Sequence, residues 1–135
     1  MAINRRAFLV ASAGAIAIAG CGASHSELSP DERVVNDALA RLHLVQESAF
    51  AHPDLAHHLV SHVDALYEYT STPRPETSSL TKTDLTDVQL ADLLRQTSDA
   101  LSAETLNVSS APLSRTLALI SSSVVVHAVS LENVL

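Results

Sequence analysis

His58 and His62 stand one helical turn apart, and His127 falls in a separate apolar stretch near the C-terminus. An i, i+4 histidine pair on one helix, joined by a third imidazole from a facing helix, is a donor set for Zn²⁺ or Cu²⁺. The same residues have a reading without metal. Histidines at the edge of a core hydrogen-bond a neighbour, and a direct His62–His127 contact is then expected. If those two rings are buried, they titrate near neutral pH and tie stability to pH. His43 and Glu47 are also one turn apart, but toward the flank of their helix, and His57 belongs to a wet face beside Asp64 and Glu68. Other chemistries lack their parts. Cys21 is the single cysteine, and the three glycines, Gly14, Gly20 and Gly22, all precede the region read as folded. A glycine-rich phosphate loop and a nucleophile elbow are therefore excluded. Ser, His and Asp are plentiful but have no diagnostic context.

The elements that must position these histidines read as four helices. Ser29-Pro30-Asp31-Glu32 carries a cap, a first-turn proline and the glutamate of a capping box. Val34, Ala38, Leu42, Val45 and Ala49 then make one face of helix 1, which ends near Phe50. His52-Pro53-Asp54 starts helix 2, whose stripe is Leu55, Leu59, Val63 and Leu66, running to about Tyr69. The short link predicts that helices 1 and 2 form an antiparallel pair. Thr70 to Leu85 is rich in Thr, Ser and Pro and reads as a long crossover. Thr86-Asp87-Val88-Gln89 is a second capping box, with Leu85 and Leu90 spaced as a hydrophobic staple. Leu90, Leu93, Leu94, Thr97 and Leu101 face the core from helix 3, and an Arg95–Asp99 pair is expected on its wet side. Pro112 opens helix 4, with Leu113, Leu117, Ile120, Val124 and Leu131 on one face and Leu119, Val126 and Val129 on a second. A helix apolar on two sides is central in its bundle or covered by a partner. The Ser/Val run from Ser121 to Val126 has strand propensity and makes this the least secure helix. The fold class expected is an all-α four-helix bundle.

The chain of 135 residues has 8 Lys and Arg against 15 Asp and Glu, a net charge of −7. Such an acidic chain is a poor ligand for nucleic acid or anionic lipid head groups. It has no Trp, and only Phe8, Phe50, Tyr67 and Tyr69 are aromatic. The core must be built from Leu, Val and Ala, and sugar platforms and aromatic cages are unexpected.

The N-terminus carries the most specific pattern. Asn4-Arg5-Arg6-Ala7-Phe8-Leu9-Val10 resembles a twin-arginine export signal, although Val10 stands where lysine is usual. The apolar run Phe8 to Ala19 is too short to span a bilayer, which needs roughly 20 residues, and suits a cleaved leader. Ile18-Ala19-Gly20-Cys21 resembles a lipobox. By that resemblance Cys21 receives a diacylglycerol thioether, and signal peptidase II cuts after Gly20. An ordinary secretory signal with a chance cysteine is the alternative. The implied organisation is a signal over 1–20, a lipidated tether over 21–28 and a bundle over 29–135. The mature chain would be 115 residues, enough for one domain, with a net charge of −9 once Arg5 and Arg6 are gone. The implied location is the outer face of the cytoplasmic membrane.

A second resemblance covers most of the mature chain. Ala51-His52-Pro53-Asp54-Leu55-Ala56, with His62 four residues before Leu66, is similar to helix 2 of ferritin-like lipoproteins of actinobacteria, most of unknown function. Leu113-Ser114-Arg115-Thr116-Leu117-Ala118-Leu119-Ile120, followed by Ser123 to Leu131, is similar to their last helix. The resemblance implies a ferritin-like bundle with a long loop between helices 2 and 3. Its metal chemistry does not carry over. A di-iron site needs a Glu-x-x-His on two helices, no such motif occurs, and Val124 stands where the resemblance places a glutamate.

The function expected is non-enzymatic: a membrane-anchored bundle acting through protein contacts, with a homodimer or another protein covering helix 4. No cofactor is expected. The alternative is a Zn²⁺- or Cu²⁺-binding lipoprotein using His58, His62 and His127.

Overall fold

The computed structural model describes residues 27–76 and 82–134; Arg5, Arg6, Cys21 and His25 lie outside them. Four helices and no strand are found among the described residues. They are α1 (Pro30–Ser48), α2 (Pro53–Tyr67), α3 (Asp87–Glu104) and α4 (Ala111–Glu132). The all-α four-helix bundle expected from periodicity is the fold.

Helix starts follow from local chemistry. Ser29 Oγ accepts from the Glu32 amide at 3.1 Å, while Glu32 Oε2 accepts from the Ser29 amide at 3.0 Å. Thr86 and Gln89 repeat this box at α3, and Leu85 packs on the core close to the buried Leu90. Caps of this kind are worth about 1 kcal/mol each. α4 has a cap that the sequence reading overlooked: Ser110 Oγ accepts from the Leu113 amide at 3.3 Å. Its Ser/Val run stays helical because Leu117, Ile120, Val124 and Ala128 are buried at helical spacing. The hydroxyls of Ser122 and Ser130 bond back to the carbonyls of Ala118 and Val126. Burial and satisfied hydroxyls override the strand propensity of isolated valines.

Three expectations need correction. Of the face expected for helix 1, Ala38, Leu42, Val45 and Ala49 are buried as expected, Val34 lies only at the margin, and Val35 and Leu39 complete the face. At 3.6 residues per turn, Val34 falls on the flank of a face centred near Leu42. α2 ends at Tyr67, not Tyr69. Arg95 pairs with Glu132 of α4, its Nε donating at 2.7 Å in a bidentate contact, instead of with Asp99. That fork geometry outcompetes a one-turn pair on the same helix.

The course is up-down-down-up. At one end, which we term the proximal pole, α1 begins. Glu32 accepts from Ser71, Asn36 accepts from Thr70, and Asp31 accepts from the amides of Ser109 and Ser110. At the opposite, distal pole, the Thr83 amide donates to the Glu47 carbonyl, and His52 at the start of α2 meets Asp87 at the start of α3. The connection after α2 thus returns along the bundle, and α2 runs parallel to α3. α1 packs on α2 and α3, and α4 packs on α3 and α2, leaving α1–α4 and α2–α3 as diagonals.

The seams differ. α3 and α4 lie closest, and α2 and α4 touch least. Ser98 and Ser121 explain the tight one. Ser98 Oγ donates to the Ser121 carbonyl, Ser121 Oγ donates to the Ser98 carbonyl, both at 2.9 Å, and both residues are buried. Small side chains let the backbones approach, and the reciprocal bonds leave neither hydroxyl unpaired.

Candidate functional site

The looser α2–α4 seam holds the histidines. Because these helices are antiparallel, a step of four along α2 matches a step of four backwards along α4. His58 therefore faces His127, and His62 faces Ser123. The His58 and His127 rings lie 5.0 Å apart between centroids, with 40° between their planes. His62 Nε2 and Ser123 Oγ share a hydrogen bond of 2.9 Å. The expected direct His62–His127 contact is thus replaced by His58–His127, since the sequence alone does not set the register between two helices. Ser123 was the overlooked partner, and its spacing four residues before His127 is the signal that marks it.

His58 and His127 border a cleft of about 500 Å³ at the distal pole, with His52, Asp54, Leu55 and Leu131 also in its lining. His52 is committed elsewhere, its Nε2 lying 2.9 Å from Asp87 Oδ1. Burial lowers the pKa of His62, and the neighbouring His58 and His127 lower it further. Burial and His58 likewise lower that of His127, with Asp54 partly opposing them. A neutral imidazole is a nitrogen donor for a soft or borderline cation. Among the described residues, no three His, Cys, Asp or Glu side chains converge closely enough to hold a metal ion. His43 is occupied on both ring nitrogens, by Gln46 at 2.9 Å and Tyr67 at 3.2 Å. His57 is exposed, beside the edge of His58.

The bundle interior is apolar except for Ser48, Thr97, Ser98 and Ser121 among the described residues. Val124 is fully buried.

The lowered imidazole values set a pH dependence. An unfolded imidazole binds its proton near pH 6.5, whereas His62 and His127 resist protonation in the fold. Between those values the unfolded chain holds more protons, so stability is complete above the unfolded value and falls as pH drops through it. Asp31, Glu32 and Glu132 are shifted down by Ser109, Ser29 and Arg95 respectively, and their contribution is lost only in a more acidic range. The melting midpoint is therefore expected to drop from pH 7.5 to 5.5, and His62→Gln/His127→Gln to flatten that drop. An unchanged slope in the double variant would move the effect to other groups.

The second notable surface is the outward face of α4. Leu119 is 72% exposed, Val126 61% and Val129 42%. These three large apolar side chains lie on the helix whose opposite face forms much of the core. Compared with family models, curated proteins and solved structures, the chain has no match.

Proposed function

We propose that this protein is a lipid-anchored bacterial bundle, of ferritin-like plan, that works on the outer face of the cytoplasmic membrane through contacts made by α4. The anchor follows from Arg5, Arg6 and Cys21 in their leader pattern. The single crossover after α2 supports the ferritin-like plan, whose bundles have one long connection. The observation that carries the contact surface is the exposed row of Leu119, Val126 and Val129. Isolated exposed apolar residues are ordinary, but a row along one helix gives a partner helix a seat. α4 also has the length and mean hydropathy, 1.3, of a membrane span. Its inward face is packed against the bundle, and the outward row is what remains free.

The test is the double change Val126→Asp/Val129→Asp. Both sites are exposed, so stability should change by no more than about 0.5 kcal/mol per site. Crosslinked species formed by the parent in membranes should disappear. If the parent forms none, or the variant forms the same ones, α4 is not the working surface.

A second reading, a Zn²⁺ or Cu²⁺ carrier, is supported by the His58–His127 pair. In the melting scan at pH 7.5, bound metal would raise the midpoint by mass action, and His127→Ala would remove the rise.

A further inference from the structure

The geometry points to an upright stance on the bilayer: the α3–α4 turn dips Leu106 into a zwitterionic lipid interface, and the His58–His127 cleft is held at the far end. This inference rests on the lipid-anchored reading and adds which part of the molecule meets the lipid.

The argument starts from chain length. Cys21 and Leu28 are seven residues apart in sequence, and that stretch reaches roughly 25 Å at full extension. α4 has 22 residues, about 33 Å of helix. The tether enters at the proximal pole, beside Ser29. Its reach is shorter than the bundle, so the distal pole cannot rest on the bilayer while the proximal pole points away. Two stances remain, upright on the proximal pole or lying along a side.

The proximal pole has the side chain suited to lipid. Leu106, in the turn between α3 and α4, is 88% exposed, the most exposed large apolar residue among those described. Leu28, at the end of the tether, is also exposed. The turn is held beside the start of α1 by the Ser109 and Ser110 amides on Asp31, so Leu106 and the tether share one end. Three of the acids there are engaged within the fold, Asp31 by that turn, Glu32 by Ser29 and Ser71, and Glu104 by Asn107, while Glu27 and Glu68 stand exposed. Their charge still disfavours anionic head groups, which is why the surface proposed is zwitterionic. The exposed guanidinium stems of Arg33 and Arg115 flank the same end and can lie along the interface with their charged heads in water. An upright stance also leaves the outward face of α4 open to a neighbour in the plane of the membrane. Lying on that face would bury Leu119, Val126 and Val129 in lipid instead.

The chain has no tryptophan, so Leu106→Trp and Val134→Trp each introduce a sole reporter, one at each pole. Val134 is 85% exposed, and both reporters share the attraction of tryptophan for the interface. The lipidated full-length protein is purified from membranes and reconstituted in phosphatidylcholine vesicles brominated near the head-group end of the acyl chains. Quenching of the Leu106→Trp reporter should be several-fold stronger than that of the Val134→Trp reporter, with a blue-shifted emission. Equal quenching of the two means a side-lying bundle and overturns the inference, as does quenching of neither. Ala103→Trp, exposed on the last turn of α3, replaces Leu106→Trp if that variant loses helical content. The mass of the Cys21 peptide separates the two levels: without acyl mass the anchor reading itself fails, and with it unquenched reporters refute only the stance.

Discussion

A Cys21→Ser chain is expected to leave the membrane under alkaline carbonate, whereas the parent stays. The thioether needs a thiol nucleophile, and Cys21 is the only one in the chain. A serine hydroxyl titrates far above a thiol and offers no thiolate to the lipid donor. Each buried methylene of an acyl chain contributes about 0.8 kcal/mol, and one chain alone binds only marginally. The diacylglycerol proposed on Cys21 would supply two, which is the condition for stable attachment. In the variant, signal peptidase II has no lipidated substrate, so residues 1–20 should remain on the chain. Their apolar run, Phe8 to Ala19, is too short to span a bilayer of roughly 30 Å, so it cannot replace the anchor. Carbonate extraction followed by mass measurement of the N-terminal peptide reads both effects. A variant as resistant to carbonate as the parent would remove the lipid from the account of this protein.

Features that depend on neighbouring residues were legible from the amino-acid sequence. The Ser29/Glu32 and Thr86/Gln89 boxes work within one turn, and both form with the partners their spacing predicts. Pro30, Pro53 and Pro112 all sit in first turns, where a missing amide costs nothing. Pairings between helices were not legible, because they depend on a register that no local pattern carries. Arg95 had Asp99 one turn away, yet Glu132 lies opposite it across the α3–α4 seam. His62 and His127 were each placed near the core, and the antiparallel register of α2 on α4 separates them by one turn. His127 then falls to His58, and His62 to Ser123. The Ser98–Ser121 clasp was hidden for the same reason, since each serine alone reads as a polar residue in a weakly amphipathic helix. The candidate site was thus recognisable by its residue types but not by its pairing, and the pairing decides which imidazoles border the cleft.

Leu94→Ala is expected to cost about 3 kcal/mol, within the 2–5 kcal/mol range of buried leucine truncations. Leu94 is fully buried at the middle of α3, one turn before Ser98. Part of the cost is the transfer free energy of the atoms removed, and the rest depends on how far the surroundings can close the void. Here they have little freedom. The reciprocal Ser98–Ser121 bonds already hold α3 and α4 at close approach, and sliding either helix inward would break them. Leu101 and Leu117, also fully buried, are packed against the same core. A domain of this size has a total stability of roughly 5–15 kcal/mol, so the loss is a large fraction of it. At about 4–8 °C per kcal/mol for a domain near this size, the melting midpoint should fall by roughly 12–24 °C. Leu119→Ala is the control: the same atoms are removed from a side chain 72% exposed on α4, and the change should stay within about 0.5 kcal/mol. Thermal or urea unfolding of both variants measures the difference. A Leu94→Ala loss no larger than that of Leu119→Ala would mean that the α3–α4 seam relaxes freely and that the serine clasp does not hold it.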